Sequence, residues 1–154
     1  MKLFINAGGK GTRLQSISRD IPKPMLPICG KPVLHHLVEW AKKNNIHDIV
    51  IMSGYKAEYI TNYFKDGKEF GVHITHSVEE TPLESGGAIK FAQKYIDGPF
   101  IYISGDHICE IDLKKMLAFH QRNNADMTIL VHKSSHPYDA DILKTNEQGR
   151  IIQF

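Results

Sequence analysis

LFINAGGKGTR, residues 3–13, is the stretch of sequence that decides the fold, because a short apolar run passes directly into a loop with three glycines. The run is typical of a buried strand. Glycines in the turn that follows let the backbone approach a ligand closely and direct its N–H groups at phosphate oxygens. The spacing matches neither the P-loop nor the G-x-G-x-x-G dinucleotide loop, so a different phosphate loop is predicted. A glycine-rich turn without a ligand is the alternative.

Apolar runs and helical patterns alternate along the rest of the chain. Alternation of strand and helix predicts an α/β fold: a Rossmann-like, doubly wound, mostly parallel sheet with helices on both faces. In such a sheet, ligands collect at the carboxyl ends of the strands. Strands are predicted at 3–5, 49–52, 72–74, 100–103 and 127–131, followed by a strand, turn and strand at 141–145, 146–149 and 150–154. Helices are predicted from Pro32, from Ala57 to Phe64, from Gly86 to Tyr95 and from Asp112 to Gln121.

Composition restricts the class of protein. The 154 residues are enough for one domain, and a formal net charge of +2 gives no reason to expect a nucleic-acid or membrane partner. Cys29 and Cys109 form no C-x-x-C pair, and no stretch reaches the ~20 apolar residues of a membrane span. We therefore expect a cytoplasmic protein with reduced thiols. Because the chain ends inside the last predicted strand, we expect residues 1–154 to be the N-terminal part of a longer domain that is truncated on its C-terminal side.

Two charged residues stand where phosphate chemistry needs them. Lys23 lies between Pro22 and Pro24, which restrict the backbone on both sides and present its ammonium group in a defined place. Asp106 follows the predicted strand 100–103, at the end where an α/β sheet presents a carboxylate to phosphate-bound Mg²⁺. An aspartate that only caps a loop turn is the alternative for Asp106.

Several motifs follow one another in a fixed order. They are G-G-x-G-T-R-L at 8–14, P-K-P at 22–24 and G-K-P at 30–32, with further segments at 54–58, 79–88 and 105–106. This ordered set resembles the sugar-phosphate nucleotidyltransferase family. The resemblance implies the nucleotide-diphospho-sugar transferase fold and an enzyme that transfers a nucleotidyl group from a nucleoside triphosphate to a sugar 1-phosphate, which yields an NDP-sugar and pyrophosphate. It implies Mg²⁺ as cofactor and these two small molecules as partners, with a homo-oligomer left open.

The resemblance also assigns roles to individual residues. Arg13, Lys23 and Asp106 are expected to be catalytic, with Asp106 as the metal ligand, Arg13 on the departing pyrophosphate and Lys23 between the reacting phosphates. Tyr138 and Asp141 lie where the family binds the sugar, in a segment that resembles the heptose 1-phosphate guanylyltransferase branch. A surface connection whose serines and aspartates only form turns is the alternative for this segment. The expected nucleotide-binding residues are Asn6, Ala7, Gly8, Gly9, Gly11, Thr12, Glu79, Glu80 and Gly87.

The segment 79–88 bears on the choice of base. It matches a family segment that lies against the nucleobase, although Glu84 and Ser85 replace a glycine and a threonine. A carboxylate accepts two hydrogen bonds from the N1–H and the N2 amino group of guanine, so either Glu79 or Glu80 favours a guanylyl donor. Ordinary solvated loop acids are the alternative.

Two other readings compete with this one. A molybdopterin-type nucleotidyltransferase would carry a G-x-S-x-R-M loop, which Thr12, Arg13 and Leu14 do not match. A non-catalytic nucleotide-binding or regulatory domain of the same fold is the second, and the presence of Arg13, Lys23 and Asp106 together argues against it.

Family members continue past Phe154 with a lysine for the sugar phosphate and a second metal-binding aspartate. We therefore expect residues 1–154 to bind nucleotide but to turn over poorly alone.

Overall fold

A computed structural model describes residues 1–9, 11, 21–108, 110–132 and 142–153. Short 3-10 helices occur at Lys23–Met25, Lys68–Phe70 and Gln93–Tyr95. In chain order, the strands and α-helices are β1 (Lys2–Asn6), β2 (Pro27–Ile28), β3 (Lys31–Pro32), α1 (Val33–Lys43), β4 (Asp48–Ser53), α2 (Ala57–Phe64), β5 (His73–Val78), α3 (Glu84–Phe91), β6 (Phe100–Ser104), α4 (Leu113–Arg122), β7 (Lys144–Thr145) and β8 (Ile151–Gln153).

A four-stranded parallel sheet forms the centre of the first part of the chain. Its strand order is β5-β4-β1-β6, and β1 pairs in parallel with β4 on one side and β6 on the other. The apolar side chains Leu3, Phe4 and Ile5 are fully buried, as expected for a strand covered on both faces. The predicted α/β class with a mostly parallel sheet is confirmed.

Helices cover the sheet on both faces. Successive side chains of a strand point to opposite sides, so Phe4, Val50 and Met52 share one face, where they pack against Ala88 of α3 and Ala92. Leu3, Ile5, Ile49 and Ile51 point to the other face and are equally buried. The apolar stripes of α1 and α2 supply the buried side chains Leu34, Leu37, Val38, Ala41, Ala57, Ile60 and Phe64.

The helix α1 begins and ends as its sequence predicts. Pro32 lies at the N-cap, where its fixed φ suits the entry to a helix and no backbone N–H is lost. Leu34, Leu37, Val38 and Ala41 recur at helical spacing and are buried. Lys42 and Lys43 lie in the last turn, next to the partial negative charge of the helix C-terminus. The predictions for α1 and for 57–64 are confirmed.

Some elements differ from the predictions. The strand predicted at 72–74 is β5, which continues to Val78. The helix predicted at 86–95 is instead α3 followed by the 3-10 turn Gln93–Tyr95, because Tyr95 N–H bonds the Ala92 carbonyl three residues back. The strand predicted at 127–131 is wrong: these residues have no regular structure, and Met127 and Leu130 are 71% and 61% exposed. A strand needs a neighbour for its N–H and C=O groups. Within the described part of 112–154, the available strands β7 and β8 pair with each other.

The chain divides into two compact units, Met1–Ile111 and Asp112–Phe154. The second unit contains α4 and the predicted terminal hairpin, whose strands β7 and β8 pair around a turn at Asn146. The Asn146 Oδ1 accepts hydrogen bonds from the backbone N–H groups of Gln148 and Arg150, and Gly149 adopts a φ of 78°. The hairpin is confirmed, and a single catalytic domain over 1–154 stays a prediction. Among the helices of the described residues, none has both the length and the apolar character to cross a membrane.

Candidate functional site

The loops that follow β1 and β6 leave the sheet at the point where the strand order reverses. The chain proceeds from β1 outward through β4 to β5 and then returns to β6 on the other side of β1. Two hydrogen bonds extend the pairing just past the strand ends, from Ala7 N–H to the Met52 carbonyl at 2.7 Å and from Gly105 N–H to the Asn6 carbonyl at 2.7 Å. The glycine loop and the Asp106 loop therefore start side by side, at the crevice where such sheets bind ligands.

Lys23 and Asp106 meet at this crevice, although they lie 83 residues apart in sequence. The Lys23 Nζ contacts Asp106 Oδ2 as an ion pair, and Ser104 Oγ donates a 2.7 Å hydrogen bond to Asp106 Oδ1. Burial of Pro22, Pro24 and Met25 anchors the short helix that carries Lys23. Burial raises the pKa of Asp106, but the hydrogen bonds from Lys23 and Ser104 and the charges of Lys23 and His107 outweigh it, so this pKa lies below its ordinary value.

Gly11 connects the glycine loop to Lys23. Its φ of +59° lies in the left-handed region that favours glycine, and a Cβ at this position would lie 3.2 Å from the Lys23 Cβ. The backbone of the loop therefore lies directly on the Lys23 side chain. At Gly9, by contrast, an added Cβ would meet open space.

Glu79 and Glu80 differ in burial: Glu79 is half-buried beside the glycine loop, whereas Glu80 is exposed. Glu79 follows β5, its N–H bonds the Ser53 carbonyl at 2.8 Å, and its half-buried side chain lies against Gly8 and Gly54. A Cβ on Gly8 would lie 2.8 Å from Glu79 Oε1, and a Cβ on Gly54 would lie 2.8 Å from Glu79 Cγ. Burial raises the pKa of Glu79, the Leu83 N–H lowers it and the charge of Glu84 raises it, with a net increase.

The side chain of Asn6 links the glycine loop to β6. Its Oδ1 accepts from Gly8 N–H at 3.3 Å, and its Nδ2 donates to the Tyr102 hydroxyl at 2.9 Å. Tyr102 and Gly54 are site residues that sequence reasoning missed. A hydroxyl within the otherwise apolar run Phe100–Ile103 was the available signal for Tyr102.

The other predicted residues are placed as follows. Ala7 is buried at the start of the glycine loop, and Gly87 lies in α3, where a Cβ would come 2.8 Å from the Leu83 Cβ. Close packing against Leu83, the N-cap residue of α3, is a structural reason for a glycine at position 87, and its nucleotide-binding role stays a prediction. The predicted site residues Thr12, Arg13, Tyr138 and Asp141 lie outside the described residues. Within the described residues, no three His, Cys, Asp or Glu side chains are grouped to hold a metal ion.

A family model described as nucleotidyl transferase matches residues 2–154. The chain belongs to the nucleotidyl transferase family. It is 39% identical over its whole length to the D-glycero-alpha-D-manno-heptose 1-phosphate guanylyltransferase of Campylobacter jejuni, of which the alignment covers 67%. It is 33% identical over its whole length to the UTP–glucose-1-phosphate uridylyltransferase of a Synechocystis species, with 43% of that protein covered.

A solved structure with a related sequence shares the fold. HddC from Yersinia pseudotuberculosis, complexed with GMP-PN, matches with a TM-score of 0.70 and 42% identity, covering 77% of this chain and 53% of that one. The chain thus spans about half to two thirds of the length of the guanylyltransferase relative and this solved structure. The predicted family and its likeness to heptose 1-phosphate guanylyltransferases are confirmed.

Proposed function

We propose that this protein transfers a nucleotidyl group from a nucleoside triphosphate to a sugar 1-phosphate. The observation that carries the proposal is the convergence of Lys23 and Asp106 beside the glycine loop, at the crevice of a doubly wound sheet. Membership of the nucleotidyl transferase family supports it. A positive side chain and a carboxylate on adjacent loops suit a substrate that carries both phosphate charge and a divalent cation.

The reaction needs alignment and charge neutralisation more than proton transfer. An oxygen of the sugar 1-phosphate forms a bond to the α-phosphorus, the bond from that phosphorus to the β-phosphate oxygen breaks, and pyrophosphate leaves with the electron pair. The nucleophile is already an anion, so no general base is required. In this proposal Lys23 neutralises the reacting phosphates and Arg13 holds the pyrophosphate, which stabilises charge where it accumulates.

Asp106 is the residue that would hold Mg²⁺. Its carboxylate is ionised at neutral pH, as an aspartate with an ordinary pKa already is, and the lowered pKa of Asp106 extends this state to more acidic solutions. Mg²⁺ on a nucleotide commonly uses one or two carboxylates together with phosphate oxygens. The single half-buried carboxylate therefore fits. When bound, the cation would neutralise phosphate charge and polarise the α-phosphate. Lys23, now paired with Asp106, would exchange this carboxylate for a phosphate oxygen.

Glu79 supports a guanylyl donor. The side chain is held between Gly8 and Gly54, close to the loop that would carry the triphosphate, whereas Glu80 is exposed. A carboxylate in this place can accept from both N1–H and N2 of guanine, a pattern of donors that uracil lacks. The guanylyl relative and the GMP-PN complex point to the same base, and the uridylyl relative makes the base a point to test.

A heptose 1-phosphate is the sugar that we propose, on the strength of the relative from Campylobacter jejuni. Tyr138 and Asp141 are its proposed contacts. Because the chain spans two thirds of that relative, the proposal includes the expectation that residues 1–154 bind nucleotide but need further sequence for full turnover.

A pyrophosphate-release assay tests the proposal. The protein is supplied with Mg²⁺, each of GTP, ATP, CTP and UTP, and a panel of sugar 1-phosphates that includes heptose and mannose 1-phosphate. We expect weak release with GTP from residues 1–154 and full release from a chain extended to the length of its relatives. Lys23→Met and Asp106→Asn should abolish both. Lys65→Met is the matched control, because Lys65 is an exposed lysine paired with Glu69 at 2.8 Å. Tight GTP binding without release, also when the chain is extended to the length of its relatives, would indicate the non-catalytic domain instead.

A further inference from the structure

Asn6 is the residue at which the two loops of the site are joined. Its backbone carbonyl accepts from Gly105 N–H at 2.7 Å, next to Asp106. Its side-chain Oδ1 accepts from Gly8 N–H at 3.3 Å, and its Nδ2 reaches the Tyr102 hydroxyl at 2.9 Å. One residue at the end of β1 therefore contacts the glycine loop, the Asp106 loop and the neighbouring strand β6.

The chemistry of these groups determines the direction of each hydrogen bond. A backbone N–H can only donate, so the Asn6 oxygen must face Gly8. The Asn6 amino group then faces Tyr102, whose hydroxyl must accept. The Asn6 amide is consequently held at both ends, and Tyr102 keeps its own hydroxyl proton for donation in another direction.

Gly8 is constrained from the opposite side as well. A Cβ on Gly8 would lie 2.8 Å from Glu79 Oε1, so the Gly8 backbone is in close contact with that carboxylate. The position of Gly8 thus depends on Asn6 from one side and fits Glu79 on the other. A displacement of Gly8 would move the loop that carries the phosphate-facing backbone and disturb its contact with Glu79.

We propose that Asn6 and Tyr102 are positioning residues. The hydrogen bonds from Asn6 to Tyr102 and from Gly8 to Asn6 hold the Gly8 loop in place and thereby set the affinity for the nucleoside triphosphate. The inference rests on the proposed function. It adds an indirect action through Gly8 to the nucleotide contact predicted for Asn6, because the side-chain amide is hydrogen-bonded to Gly8 at one end and to Tyr102 at the other.

The test compares Asn6→Leu, Tyr102→Phe and the double variant with the unaltered protein. Calorimetry gives the Kd for GTP, ATP, CTP and UTP with Mg²⁺, and hydrogen exchange by NMR reports on the Gly8 amide. We expect Asn6→Leu to weaken binding of the preferred triphosphate about tenfold and Tyr102→Phe about threefold, as expected for one or two lost neutral hydrogen bonds. The double variant should bind no more weakly than Asn6→Leu alone, because both substitutions interrupt the same connected pair of hydrogen bonds.

Exchange of the Gly8 amide separates positioning from a general loss of stability. It should become faster in Asn6→Leu at equal global stability, which thermal unfolding measures. Tyr63→Phe is the control, since it removes a tyrosine hydroxyl that contacts His35 at 2.9 Å in another part of the unit. If Asn6→Leu does not fold, Tyr102→Phe decides, because its hydroxyl lies on a residue that is 37% exposed.

The possible failures are distinguishable. Unchanged Kd values in folded Asn6→Leu and Tyr102→Phe overturn the positioning role, and so does a Kd change that accompanies unaltered Gly8 exchange. If the unaltered protein binds none of the four triphosphates, the proposed function fails, while the exchange of the Gly8 amide still reports whether Asn6 holds the loop.

Discussion

Replacement of Glu79 by glutamine tests whether the Glu79 carboxylate recognises the guanine base of the nucleotide. The side chain fits between Gly8 and Gly54, where a Cβ on either glycine would lie 2.8 Å from one of its atoms. Glutamine has the same shape and should occupy this space without moving either loop. The substitution removes the negative charge and replaces one acceptor oxygen by an amino group, which cannot accept from guanine.

The size of the effect follows from that change. Hydrogen bonds to charged groups contribute roughly 1.5–3 kcal/mol each, more than those between neutral groups. Glu79→Gln removes one of the two hydrogen bonds to guanine and leaves the other with a neutral acceptor. GTP binding should therefore weaken by about 10- to 100-fold, since about 1.4 kcal/mol corresponds to a tenfold change in Kd. Binding of ATP, which lacks the N1–H and N2 donors, should change little.

The pH dependence of the same site has a defined sign. Burial, the largest cause, raises the pKa of Glu79, and the neighbouring charge of Glu84 adds to it. The stability associated with this group is therefore fully present below the unfolded pKa of a glutamate, about 4.3, and is lost as the pH rises through the higher folded value. Glu79→Gln should be more stable than the unaltered protein at neutral pH, and this advantage should disappear in acid. GTP affinity should fall as the pH drops through the raised pKa, because a protonated carboxyl loses acceptor capacity.

The assay is calorimetric titration with GTP, ATP and UTP in the presence of Mg²⁺, at two pH values on either side of the raised pKa. Glu80→Gln is a close control, because it makes the same chemical change at the exposed neighbouring residue. If Glu79→Gln binds GTP as tightly as the unaltered protein, or if Glu80→Gln loses the affinity instead, the base assignment is wrong.

Three further substitutions probe the loop, the ion pair and the core. Gly11→Ala forces a left-handed φ of +59° on alanine. It should lower the free energy of unfolding by about 1–2 kcal/mol; an unchanged Tm contradicts this. Lys23→Met removes a partly exposed ion pair with Asp106. Because the pKa of Asp106 is lowered in the folded protein, the ion pair stabilises the fold at neutral pH, and this contribution is lost as the pH falls through the folded-state pKa. Urea unfolding should show a loss of about 1 kcal/mol or less at pH 7 and none in acid, so an equal loss in both refutes the reasoning. Leu37→Ala, at a side chain that is 1% exposed, should cost about 2–5 kcal/mol in the same assay, and a cost below about 1 kcal/mol would mean that the core is not packed as described.

Local patterns were sufficient for the elements whose apolar residues find a partner nearby. In α2, Ala57, Ile60 and Phe64 recur at helical spacing and are buried, so the predicted range 57–64 agrees with the structure. The run 127–131 has the composition of a buried strand but no pairing neighbour within the described part of its unit. An apolar run shows that burial is favourable, and it does not show which segment supplies the partner.

Site residues that belong to sequence motifs could be predicted, whereas those whose position depends on strand register could not. The motif order brought Lys23 and Asp106 into one hypothesis, and the structure places them in contact. Whether Glu79 or Glu80 faces Gly8 depends on where β5 ends against β4, since neighbouring residues of an extended chain point in opposite directions. The contact of Asn6 with Tyr102 joins residues 96 positions apart, so no local pattern predicts it.

The placement of β1 between β4 and β6 also has a consequence for how the protein folds. Strand β1 leaves the ribosome before β6, because Tyr102 of β6 is synthesised 96 residues after its hydrogen-bond partner Asn6. Pairing of β1 with β4 can form early, whereas closure of the sheet by β6 is a slow, long-range event. Until that event, the chain presents an unpaired strand edge to solvent and to chaperones. The proposed nucleotide site would therefore be the last part of the unit to mature, and the triphosphate would bind only chains that have completed it.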